Sequence, residues 1–165
     1  MTVSLLIRPA TSDDEAAIWA IIEPVIRAGE TYTLDRDMSR ADALAYWFGP
    51  DKETFVAEDA GGVVLGTYYL RANQAGGGNH VCNAGYMTGA AAMGRGVARA
   101  MCLHSIGHAK VRGFRAMQFN FVVSTNVRAV GLWQSLGFEI VGRLPGAFDH
   151  PAAGCVDALV MFRGL

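Results

Sequence analysis

Between His80 and Val111 a strand running to Met87 gives way to small residues, then to Met93-Gly94-Arg95-Gly96-Val97-Ala98, and then to a helix. No other segment restricts the fold so tightly. Glycines at a strand-to-helix junction let the backbone approach a ligand with no Cβ in the way. The first helical turn leaves its N–H groups unpaired at the positive end of the dipole. Together these make a cradle for a diphosphate, with Arg95 and Arg99 adding local positive charge. Alone, the pattern is equally a tight turn. Two other phosphate-binding patterns are excluded. A Walker loop needs Gly-Lys-Ser/Thr, which is absent. A dinucleotide fingerprint needs an acid about 20 residues on, at the end of the next strand, and that strand ends Phe121-Val122-Val123-Ser124-Thr125.

The flanking elements follow from spacing and punctuation. Leu5–Arg8 reads as a strand stopped by Pro9. A helix then carries Ile18, Ile21, Ile22, Val25 and Ile26, bent or shortened at Pro24 and closed by Gly29. Ser39 opens a second helix with Ala43, Leu44 and Trp47 inward, ending near Gly49-Pro50. Thr54–Glu58 and Val63–Arg71 form a hairpin across Ala60-Gly61-Gly62, Ala75–Asn79 is a loop, and His80–Met87 is a strand. A helix from Val97 to Arg112 is capped by Gly113. Ala116–Val123 is a buried strand, and Asn126–Leu136 a helix stopped by Gly137. Strands near Glu139–Arg143 and Val156–Arg163 follow, joined by a Pro/Gly loop. The order β-α-α-β-β-β-α-β-α-β-β predicts one α/β (α+β) domain over residues 1–165. It has a mixed, mostly antiparallel sheet of about seven strands and helices on both faces.

Composition narrows the function classes. At 165 residues the chain fits one domain of the usual ~100–200 residues. With a net charge of −1, no global field draws it to nucleic acid or anionic membrane, so an anion site must be local. Three cysteines (Cys82, Cys102, Cys155) argue against a disulfide framework and for a reducing compartment. The start, Met1-Thr2-Val3-Ser4-Leu5-Leu6-Ile7-Arg8-Pro9, lacks a basic leader region, and no run nears the ~18 apolar residues of a spanning helix. A cytoplasmic location is the expectation.

Two segments about thirty residues apart resemble the GNAT superfamily of N-acetyltransferases. The superfamily's coenzyme A motif, Arg/Gln-x-x-Gly-x-Gly/Ala, falls on Met93-Gly94-Arg95-Gly96-Val97-Ala98. Its later signature is matched at Asn126, Ala129, Leu132, Trp133, Gly137 and Phe138. The resemblance implies acetyl-coenzyme A as cosubstrate, no metal, a homodimer by family habit, and a V-shaped opening between the strands at His80–Met87 and Ala116–Val123. It places the cosubstrate on Met87, Thr88, Met93, Gly94, Arg95, Gly96, Val97, Ala98, Arg99, Asn126 and Trp133. Two departures stand out: Met93 replaces the usual Arg or Gln, and Trp133 the frequent tyrosine, whose role as proton donor an indole cannot take. The strand is expected to splay near Thr88, freeing amides near Met87 and Thr88.

Neither central strand carries an Asp or Glu, and the polar groups offered as catalytic in their place are Asn83, Asn120 and Asn126, of which Asn83 and Asn120 lie on the strands, Asn120 sharing a face with Gln118 and Val122 by parity. Asparagines inside apolar strands are costly unless hydrogen-bonded, either to a bulge or splayed backbone or to a ligand. A water between them would take the amine's proton. The run Met117-x-Phe119-Asn120-x-Val122-Val123-x-Thr125-Asn126 and the ending from Gly142 are similar to the fungal acetyltransferases that detoxify proline analogues such as azetidine-2-carboxylate. That similarity implies a small-molecule amine acceptor, an amino or imino acid, held by Asn83 and Asn120, with Asn126 meeting coenzyme A. Glu30, Thr31 and Tyr32 fall where this fold walls the acceptor pocket. His104 and His108, at i and i+4, have the spacing of a zinc pair but read rather as a solvated helix side; His80 reads as a base or, more simply, an exposed strand end; and the loop Pro145–Gly154, with His150, is expected to reach the pocket or a partner subunit. The rival readings of the whole chain are a protein N-terminal or lysine acetyltransferase and a non-catalytic acyl-coenzyme A sensor.

Overall fold

The computed structural model describes residues 4–165, so the reading of Met1, Thr2 and Val3 lies outside it. Seven strands form one sheet in the order β1-β2-β3-β4-β5-β7-β6. They are β1 (Leu5–Pro9), β2 (Glu53–Asp59), β3 (Val64–Ala72), β4 (Val81–Thr88), β5 (Ala116–Val123), β6 (Glu139–His150) and β7 (Gly154–Gly164). Every neighbouring pair is antiparallel except β4 and β5. The helices are α1 (Glu15–Ala28), α2 (Arg40–Trp47), α3 (Val97–Val111) and α4 (Val127–Ser135).

Strand alternation divides the core in two. On β2, Val56 faces α1 and α2, joining Ile18, Ile22, Ile26 and Trp47, while Phe55 and Ala57 face α3 with Met101, Cys102 and Ile106. Trp47 is wholly buried. Its indole N–H donates to Thr67 Oγ1 at 2.9 Å, and Thr67 donates onward to the Phe55 carbonyl at 2.8 Å, so the one polar atom of the ring is satisfied inside the core.

The helix ends obey their sequence cues. Ser39 caps α2 by accepting from the Asp42 N–H, and Gly29 closes α1 at φ 65°, in the left-handed region. Three expectations are corrected. Of the two effects expected of Pro24, a bend or a shortening, the shortening does not occur, since α1 runs through it to Ala28. Gly76–Gly78 form a short 3₁₀ turn within the predicted loop. The expected Pro145–Gly154 loop is mostly strand: β6 runs to His150, pairing Phe148 with Val156 and His150 with Gly154. A register shift between Leu144 and Phe148 absorbs Pro145 and Gly146 as a bulge. His150 then accepts from the Ala152 and Ala153 N–H groups in the tight turn beyond it.

The feature that positions the site is the β4–β5 pair. It has two registered residue pairs, Val81 with Ala116 and Cys82 with Met117, and then opens. The expectation placed the splay near Thr88. It begins right after Cys82, because the Asn83 side chain donates to the Gln118 carbonyl at 2.9 Å and takes the place of the next rung.

Candidate active site

Beyond Cys82 the splay leads into a cavity of about 940 Å³ that crosses the sheet between α1, α3 and α4. That volume lies near the top of the range for small-molecule sites, roughly 300–1,000 Å³, which suits an extended ligand plus a second, smaller one.

One flank is the start of α3. Gly94 and Gly96 adopt φ 77° and 81°, and no side chain caps the helix, so the amides of its first turn face the opening without protein partners. Met93, Gly94, Gly96, Val97, Ala98, Arg99, Asn126 and Trp133 line this flank. Arg95 does not, a correction: set between two left-handed glycines, its side chain is turned out to solvent. Arg128 lines the opening, and its Nη2 lies 3.9 Å from where a Cβ on Gly94 would sit. The signal was present, two residues after the Asn126 that opens the second motif. Arg99 donates to Ser135 Oγ at 3.0 Å and ties α3 to α4.

The backbone of β4 supplies the middle of the opening. Asn73 donates to the Val81 carbonyl and Gly89 to the Leu65 carbonyl, so the odd-numbered residues from 81 to 89 direct their main-chain groups to β3. The amide of Thr88 therefore faces the opening and that of Met87 does not, which corrects half of that expectation. The free Tyr86 carbonyl accepts from the Tyr32 hydroxyl at 2.9 Å. Tyr32 lines the cavity, yet its hydroxyl is committed to holding the splayed strand.

The other flank is the acceptor side: Glu30, Thr31, Tyr32, Tyr46, Tyr69, Arg71, Asn83 and Asn120. Tyr46, Tyr69 and Arg71 were missed. For Tyr69 and Arg71 the signal was the odd-residue face of β3 opposite a glycine, whereas Tyr46 comes from α2: a Cβ on Gly85 would stand 2.8 Å from the Tyr69 ring, so Gly85 is what lets that ring lie over β4. The asparagines are joined through Gln118. Its carbonyl takes Asn83 Nδ2, its side chain donates to Asn120 Oδ1 at 2.9 Å, and Asn120 donates to Asn73 Oδ1 at 2.6 Å. One acceptor, Asn83 Oδ1, and two donors, the second Nδ2 hydrogens of Asn83 and Asn120, remain unspent. Val122 does not share the Asn120 face as parity predicted. A register shift between Phe119 and Val122 returns it to the core.

Trp133 is buried against Tyr86 and Phe119, at 5.1 and 5.2 Å between ring centroids. Tyr86 does not replace the missing tyrosine acid. Ser105 Oγ donates to the Cys102 carbonyl and so accepts from Tyr86, whose hydroxyl is turned inward and held well above its ordinary pKa by burial. Burial likewise pushes the thiols of Cys82 and Cys102 up to about 12 and about 11, so neither offers a thiolate nucleophile at neutral pH. His80 lies outside the opening. His104 and His108 are not a solvated helix side: His104 Nδ1 and the Tyr68 hydroxyl share a hydrogen bond at 2.7 Å, and His108 meets Glu53 at 2.6 Å. Among the described residues no group of three or more His, Cys, Asp or Glu could hold a metal, and no helix is long and apolar enough to cross a membrane. The Pro145–Gly154 segment does not reach the opening.

The family profile described as Acetyltransferase (GNAT) family matches residues 17–138. A GCN5-related N-acetyltransferase from Kribbella flavida, of known structure, is 46% identical and covers 98% of each chain at a TM-score of 0.93. A phosphinothricin acetyltransferase from Sinorhizobium meliloti, solved in complex with AcCoA, is 23% identical over 100% of this chain and 89% of its own, at a TM-score of 0.86, a likeness of fold. The N-acetyltransferase aca1 of Schizosaccharomyces pombe is 28% identical over 151 residues, 82% of this chain and 72% of its own. A split sheet with a bare, glycine-flanked helix start on one flank is the framework of an acyltransferase. The chain belongs to the acetyltransferase (GNAT) family.

Proposed function

We propose that this chain, one domain over residues 1–165, transfers acetyl from acetyl-coenzyme A to the amine of a small molecule, an amino or imino acid, by direct attack within a ternary complex. The observation that carries the reading is one continuous opening with two chemically different flanks: uncapped amides with Arg99 and Arg128 at the start of α3, and a tyrosine-walled polar pocket across β4. The diphosphate seats on the α3 amides, and the thioester arm runs past the Thr88 amide. The acceptor lies beyond Asn83 within reach of the thioester carbon, where placement alone supplies much of the rate. Asn83 Oδ1 orients the amine. Its proton leaves through water held by Asn120 and Glu30, the one carboxylate among the described residues that lines the opening. Buried, protonated Cys82 and Cys102 leave direct attack as the simpler route. The carbon–sulfur bond breaks as the amide forms, and the coenzyme A thiolate takes up the proton relayed through that water.

The tyrosine wall supports a small acceptor over a protein tail, and the fungal aca1 match accords with the resemblance to fungal imino-acid acetyltransferases. A cytoplasmic homodimer completes the reading. Edge strand β6 exposes Ile140, Val141 and Leu144, a surface a second copy would cover. The test is calorimetry with acetyl-coenzyme A followed by thiol release across amino acids, imino acids and simple amines. Tight cosubstrate binding with no release from any amine would replace the enzyme with an acyl-coenzyme A sensor, a reading that Met93 and Trp133 favour.

A further inference from the structure

On the acceptor flank, Arg71 belongs to a cluster whose hydrogen-bonding capacity its protein partners do not use up. Arg71 and Lys52 both lie against Asp51, at 3.1 and 3.7 Å, which leaves this trio one cation in excess. Lys52 is enclosed: its side chain is 5% exposed, it donates to the Tyr46 carbonyl, and its ammonium sits over the Tyr46 and Tyr69 rings at 4.1 and 5.2 Å. Arg71 lines the opening. Among the described residues its one hydrogen bond runs from Nη1 to Asp51, and Nε is buried without a partner. An unpaired buried donor costs about 1–3 kcal/mol. The unused Nε–Nη2 edge is the side of the guanidinium that takes a carboxylate through two parallel hydrogen bonds.

Position points the same way. Arg71 stands directly opposite Asn83 in the β3–β4 register, so both side chains leave the same face at the mouth of the splay. Asn73, two residues on, holds Asn120. Cation, orienting acceptor and donor thus share one patch, while the other lining cations, Arg99 and Arg128, belong to the α3 and α4 side.

Resting on the transferase reading above, we infer that Arg71 is the specificity residue of the acceptor site: it receives the acceptor's carboxylate and thereby selects amino and imino acids over plain amines. The carboxylate on Arg71 and the amine at Asn83 fix the acceptor at two points, which turns the nitrogen toward the thioester.

The experiment measures steady-state acetylation of amino and imino acids, each beside its own carboxamide. The wild-type chain prefers the acid. Arg71→Gln raises KM for the acid by at least about thirtyfold and removes the preference, while acetyl-coenzyme A affinity is unchanged; Arg71→Lys restores part of the preference. Asp51→Asn separates this from a structural role, since it removes the same ion pair yet keeps the preference. Equal use of acid and carboxamide by the wild type, or a preference that survives in Arg71→Gln or disappears in Asp51→Asn, overturns the anchor and leaves the transferase standing. No product from any amine overturns both.

Discussion

A single amide explains why the acceptor side was only half legible. Asn120 was recognised because an asparagine inside a buried strand demands a partner. Its partners were not: Gln118 and Asn73 take its Oδ1 and one of its hydrogens. That arrangement makes Asn120 a pre-set donor rather than a free one. Asn120→Ala should lower turnover at least about tenfold while folding persists, since removing one oriented hydrogen bond from a transition state costs on the order of 1.4 kcal/mol or more. Single-turnover rates beside far-ultraviolet circular dichroism check this, and unchanged turnover on a true substrate removes Asn120 from the mechanism. Arg71 escaped notice because an arginine near a strand end is usually only a solvated side chain. What marks it out, an unpaired Nε and a place opposite Asn83, exists only once β3 and β4 are paired.

Among the elements, α3 was read almost to its ends, because the glycines before it and Gly113 after it punctuate a helical repeat. The direction of Arg95 was not readable, since it depends on the left-handed turns on both sides. Those turns also give the cosubstrate flank a sharp test. A Cβ at Gly96 would meet no protein atom within 4 Å, so Gly96→Ala acts through backbone conformation alone. Holding alanine at φ 81° costs about 1–2 kcal/mol. The helix start will shift, and acetyl-coenzyme A affinity should fall about tenfold by calorimetry; an unaltered Kd would place the diphosphate elsewhere. Strand β6 shows the opposite failure: Pro145 and Gly146 read as a loop, yet a bulge lets the ladder resume beyond them. The splay point was misplaced for a related reason. Nothing local to β4 says that the Asn83 side chain will stand in for a rung whose partner is some 35 residues away.

Over the whole molecule, the fold was legible because element order and strand alternation both demand a two-faced sheet. How the faces respond to pH was not. His104 is held below its ordinary pKa by burial, with His108 alongside adding to the effect. The unfolded chain therefore binds this proton more readily than the folded one. Its contribution is complete above the unfolded value of about 6.5 and is lost as pH falls below it toward the folded value. Asp14, held below the usual carboxylate range first by the Arg8 hydrogen bonds, acts lower: its stabilisation is present above about 3.9 and is lost in more acid solution. Thermal melts should thus show Tm falling between pH 7 and 5 in roughly the window of the histidine, with the slope flattened in His104→Gln. An identical slope in the variant assigns the loss to other groups.

The two-rung seam between β4 and β5 ties stability to activity. Further rungs there would knit the two half-sheets together, yet they would fill the space where thioester and amine meet. Gains in robustness must come from the twin cores, the helix ends or a covered β6 edge. Random variants selected only for heat tolerance should accumulate changes in those places and leave residues 83–88 alone.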